Sequence, residues 1–84
     1  MSDFSHIQND SLRAVLEGRI APMTNTLGGC VDITADAMLE DSSDPLIPYS
    51  VLDARHDAAV EAADAYHDGD NDRCLAALRR YWSV

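Results

Sequence analysis

The sequence predicts an all-α fold, a small single domain of three to four helices that ends in a helical hairpin, and three observations carry that prediction. Asp53, Asp57, Glu61, Asp64 and Asp68 are spaced 4, 4, 3 and 4 residues apart, which puts five carboxylates on one face of a single helix. Twelve alanines, concentrated at 54–65 and 76–77, favour helix and give flat faces for close packing. Pro45, Pro48 and Gly69 stand where such helices would start and stop.

The first helix is expected over 5–17, with Leu12, Val15, Leu16 and Ile20 on one face and Ile7 a little upstream. Ser5 or Ser2 is the expected cap, and Gly18 or Pro22 the expected end. Residues 20–29, with Pro22, Gly28 and Gly29, read as a loop. The two glycines form no phosphate loop, because no Lys-Ser/Thr pair follows them. Thr34 reads as the N-cap of a helix of two turns, although 30–34 also fits a short extended piece.

Residues 41–49 read as a hinge, since Pro45 and Pro48 remove backbone donors and push the preceding residues out of the helical region. Ser50 and Asp53 resemble a capping box for a long helix that runs to about His67 and stops at Gly69. Its inward face is expected to carry Leu52, Ala59, Ala63 and Tyr66, with Val51 and Ala62 at the edge. In the last helix, capped by Asp70 or Asn71, Leu75, Leu78 and Trp82 form the expected buried stripe. Arg79 and Arg80 suit the negative end of its macrodipole.

The 84 residues carry a formal charge of −9, concentrated in the middle of the chain. From Asp32 to Asp72 twelve carboxylates face one cation, Arg55, whereas 73–84 holds Arg73, Arg79 and Arg80 and no acid. Such a protein is repelled by nucleic acid and by anionic membrane, so the expected partner is a basic protein, with no direct nucleic acid or membrane binding. Cys30 and Cys74 are expected to be reduced thiols. The chain shows no targeting signal and no run of apolar residues long enough to span a membrane, and a cytoplasmic location is expected. Because the alanines leave a thin core, a homodimer is also expected.

The acidic row admits two readings, a solvated helix face and a surface for a basic partner. Carboxylates four residues apart repeat about every 6 Å along a helix, a row that a groove lined with Lys and Arg can accept in place of phosphates. Part of the row could pair with Arg79 and Arg80 returning alongside Asp53 and Asp57, yet three arginines cannot neutralise twelve acids. Asp53 with His56 and Asp64 with His67 each place a carboxylate and an imidazole one turn apart. The two pairs are about 16 Å apart along one helix and cannot share a metal within one chain. The run Asp68-Gly69-Asp70-Asn71-Asp72 fails as a calcium loop, since Arg73 and Arg79 fall where the glycine and the bidentate glutamate belong. No nucleophile signature, cofactor motif or metal motif is present, so catalysis is not expected, and Trp82 reads as core rather than as a stacking platform.

In size and charge the chain resembles the small acidic anti-defence proteins of phages and mobile elements. The resemblance implies a stoichiometric inhibitor that presents Asp53, Asp57, Glu61, Asp64 and Asp68 to the basic nucleic-acid-binding surface of a partner. Two other expectations stand beside it: a homo-oligomeric adaptor joined through the alanine-rich faces of 54–65 and 76–77, and a divalent-metal-binding helical protein.

Overall fold

The computed structural model describes residues 4–21 and 23–83 and is all-helical. Four helices follow one another: α1 (Asp10–Leu16), α2 (Thr24–Ser42), α3 (Tyr49–His67) and α4 (Asn71–Ser83). The antiparallel α3–α4 hairpin that the sequence predicts is the most extensive pairing, and α2 lies across both of its helices.

Helix α1 is shorter than expected because its start is fixed by Asn9, whose side chain accepts from the Leu12 amide at 2.9 Å. Ser5 precedes that start, and the other candidate cap, Ser2, lies outside the described residues, as does Pro22. The chain before Asn9 makes a turn instead, which drops Phe4 and Ile7 into the core beside Leu12, Val15 and Leu16. Gly18 at φ +80° and Gly69 at φ +79° end α1 and α3 alike. In each the following amide reaches back to a free carbonyl, Arg19 to Ala14 at 2.8 Å and Asp70 to Ala65 at 2.9 Å.

The largest departure from expectation is α2. Residues 24–29 are helix, not loop, and Thr34 is a mid-helix residue and not a cap. The Thr26 hydroxyl starts the helix, accepting from the Met23 amide at 3.0 Å and donating to the Met23 carbonyl at 2.8 Å. Gly28 belongs in the helix because α3 passes close by: a Cβ there would stand 2.6 Å from the Tyr66 hydroxyl oxygen. Thr34 is buried, donates to the Cys30 carbonyl at 2.8 Å and accepts from the Trp82 indole at 3.0 Å. With α2 running to Ser42, the proline-bounded hinge shrinks to residues 43–48, and α3 starts directly after Pro48 with no side-chain cap from Ser50.

Both hairpin helices are rotated from the faces the sequence suggests. Helix α3 buries Ala58, Ala59, Ala62 and Ala65 and leaves Ala63 exposed, while α4 buries Cys74, Ala77, Leu78 and Tyr81 with Leu75 and Trp82 at the margin. The alanine face that the sequence offers to a second chain is thus largely covered from within, and Ala54, Ala63 and Ala76 are the exposed remainder of the two alanine stretches. Cys30 and Cys74 are free and buried in the same cluster, and burial pushes both thiols up.

The two helical glycines of α2 provide a paired test of this packing. A Cβ at Gly29 meets nothing within 4 Å, so Gly29→Ala should stabilise by about 0.5–1 kcal/mol, a rise of several degrees in Tm. Gly28→Ala gains the same helix propensity but must displace the Tyr66 ring, and should show no net rise. Equal stabilisation in thermal melts of the two variants would show that α3 does not press on α2 at this point.

Candidate partner-binding surface

Nineteen residues of uninterrupted helix carry Asp53, Asp57, Glu61 and Asp64, so the geometry of these four follows from the spacing alone, and Asp68 caps the end. Asp53, Asp57 and Asp64 are exposed on the outer side of α3 and, among the described residues, form no ion pair. Glu61 and Asp68 differ from them. Rotation of α3 brings Glu61 half into the hairpin, where Arg73 Nε donates to its Oε1 at 2.9 Å. Asp68, one residue beyond the helix, lies 3.6 Å from Arg73 Nη1. The hydrogen bond to Glu61, reinforced by the nearby carboxylates, pushes the Arg73 guanidinium pKa up.

The arginine that meets the row is therefore Arg73 and not the pair expected from the sequence. Arg79 turns to α1, where its Nε donates to the Leu16 carbonyl at 3.1 Å, and Arg80 is exposed. Helix α2 carries three further exposed carboxylates, Asp32, Asp36 and Glu40. Across α2 and α3 the one arginine, Arg55, is drawn to Asp41, with Nη1 and Oδ2 3.0 Å apart and both side chains about three-quarters buried. Exposed carboxylates four residues apart, such as Asp53 and Asp57 or Asp32 and Asp36, stand about 6 Å apart along the helix, within a Debye length of about 8 Å at physiological salt, so their fields add.

A polar node that sequence reading does not anticipate joins three of the helices. Asp41 Oδ2 accepts from Arg55 and also from the Tyr81 hydroxyl at 3.0 Å, joining α2, α3 and α4. The node borders a cavity of about 210 Å³, which His6, Ala37 and Trp82 also line. Burial first, and then the hydrogen bond to Asp41, pushes the Tyr81 phenol well above its usual value, so it serves there as a donor and not as a base. The buried thiols, also pushed up, are weak nucleophiles.

Among the described residues no group of three or more His, Cys, Asp or Glu side chains is arranged to hold a metal ion. His56 and His67 are both exposed on α3. No helix among the described residues is long and apolar enough to cross a membrane. The chain matches no protein-family model, no curated protein and no solved structure.

The Tyr81 node has a pH signature. The unfolded phenol ionises near pH 10 while the folded one holds its proton to higher pH, so the folded state binds more protons and stability falls as pH rises above about 10. Tyr81→Phe should lower stability at pH 7 by about 1–2 kcal/mol and make the alkaline fall shallower. Urea unfolding at pH 7 and pH 10.5 checks both, and an equally steep alkaline fall in the variant would deny the node its part.

Proposed function

We propose that this protein acts by stoichiometric binding: it lays the acidic outer side of α3 against the basic, nucleic-acid-binding surface of a partner protein and blocks it. The observation that carries this reading is the set of exposed carboxylates at Asp53, Asp57 and Asp64, free of ion pairs among the described residues, on a helix whose one arginine is turned toward Asp41. Like charges at i,i+4 destabilise a helix by about 0.2–0.5 kcal/mol per pair. Among the described residues, the arginine that pairs with the row is Arg73, and it does so at one end only.

Physically, a fixed acidic row steers a basic partner by long-range attraction and displaces the counterions or phosphates that otherwise cover the partner's groove. Asp32, Asp36 and Glu40 on α2 extend the same field. Glu61 and Asp68 contribute less to the outer surface, because Arg73 already partly neutralises them.

Charge reversal tests the proposal. Combined Asp53→Lys, Asp57→Lys and Asp64→Lys changes only exposed positions, so stability should hold within about 0.5 kcal/mol. Capture of a partner from extracts of the native host should be strong with the unaltered chain at low salt, should weaken steeply with ionic strength, and should be lost in the variant. A control with Gln8→Lys and Ser11→Lys, exposed residues beside and in α1, should capture normally. The captured protein should then bind either nucleic acid or this chain, not both together. A partner that binds both at once, or that is held regardless of salt and of the three reversals, sinks the proposal.

A further inference from the structure

The surface shared by α2 and α3 holds more than carboxylates. Gly28 meets Tyr66 at one end of this helix pair and Asp41 meets Arg55 at the other, so the helices run antiparallel with the middles facing each other. Between those points lies a cleft of about 130 Å³ lined by Val31, Ala35, Met38, Ala59, Val60 and Ala63. Every lining side chain is apolar and three are alanine, whose short side chains leave the cleft open. Val60 is 43% exposed at the cleft, and Leu39, next in sequence to the lining residue Met38, is 67% exposed. On the solvent side of that strip the helices carry Asp32 and Asp36 from α2, and Asp53, Asp57 and Asp64 from α3.

We propose that this cleft docks an amphipathic helix of a partner, one that presents an apolar stripe flanked by Lys or Arg. The proposal rests on the reading of the acidic surface as a partner surface and specifies what that surface grips. Size supports it, because an engineered cavity of about 150 Å³ holds benzene, and the cleft therefore suits one Leu, Met or Phe side chain. Length supports it as well. From Val31 to Met38 the floor extends about 10 Å, two helical turns, so one anchor seats in the cleft while those a turn before and after it lie along the same floor. Met38 gives the floor a side chain able to adjust to different anchors.

Charge selects the occupant. A helix with basic flanks meets an acidic ridge on each side of its apolar stripe. A second copy of this chain does not: a two-fold contact across the cleft sets the acidic ridges of one copy against the acidic ridges of the other, and the two helices supply no arginine but the inward-turned Arg55. Nucleic acid is repelled by the same ridges and offers no apolar stripe.

The test uses fluorescein-labelled synthetic peptides of 18 residues and anisotropy titration with the full chain. One peptide carries leucines at i, i+4, i+7 and i+11 with lysines on both flanks, a second has the same composition scrambled, and a third keeps the leucines but replaces lysine by glutamate. The first should bind at least tenfold tighter than the second, and the third should not bind. Ala63→Gln and Ala35→Gln occupy the cleft with a neutral side chain at exposed helical positions. Each should weaken the first peptide about tenfold, leave the scrambled peptide unchanged and preserve the helical circular dichroism. Equal affinity for both basic peptides would overturn the cleft and leave the acidic surface standing. Failure of both basic peptides to bind at low salt would overturn the cleft and the acidic surface together. Binding of the glutamate peptide would overturn the part given to charge, and a concentration-dependent dimer abolished by Ala63→Gln would make the occupant a second copy and overturn the proposal.

Discussion

The inward face of α3 is built of alanine, and the rest of the architecture answers to that restriction. Ala58, Ala62 and Ala65 are completely buried, yet together they bring little volume to the core. Volume has to come from elsewhere, and it does: Phe4 and Ile7 from the leading segment, Leu12 and Leu16 from α1, Leu27 from α2, and Leu78 and Tyr81 from α4. A flat face also lets α4 lie directly against α3, which makes their hairpin the most extensive pairing in the molecule. A longer side chain at any of the three positions would have to displace a neighbouring helix.

The arginines follow a second pattern. Arg13 donates to the Ile7 carbonyl and pairs with Asp10, Arg19 pairs with Glu17, Arg55 with Asp41, Arg73 with Glu61, and Arg79 donates to the Leu16 carbonyl. Four of these cations, Arg13, Arg55, Arg73 and Arg79, tie a helix to the segment or helix beside it, and Arg19 pairs within the turn after α1. Five of the six basic residues thus act where elements join, and the outer faces of α2 and α3 keep their negative charge. Local structure and surface field are consequently set by different residues, so the acidic faces can change without loosening the joints.

How far the sequence could be read depended on where each signal resided. The limits of α3 at its C-terminal end and the capping of α4 by Asp70 are local, and both stand out, with the Asp70 carboxylate accepting from the Arg73 amide at 3.1 Å. The acidic row was legible for the same reason, since a spacing of three and four fixes a face wherever the helix runs. The later turns of helix α2, after Thr34, were legible, but its first turns were not, because Gly28 answers to Tyr66, 38 residues away, and no local rule asks for glycine in a second helical turn. The rotation of α3 was hidden by its own composition: with alanine at 54, 58, 59, 62, 63 and 65, periodicity cannot choose among neighbouring faces. Which carboxylates are paired and which are bare depends on that rotation, and so does the existence of the cleft. The Asp41 node draws on residues 14 and 40 positions away and left no trace in either segment.

The bond from the Trp82 indole to the Thr34 hydroxyl has an optical consequence. Trp82 is the chain's one tryptophan, its ring stands edge-on to Tyr81 at a centroid distance of 5.0 Å, and its polar atom is anchored in the middle of α2. The intrinsic emission of the protein therefore reports on a single place, the seat of the last turn of α4 upon α2. Should that turn lift away while the helices persist, the emission would shift to the red before the far-ultraviolet ellipticity changed. The molecule thus carries its own gauge of whether its C-terminal end is docked, with no dye or label added.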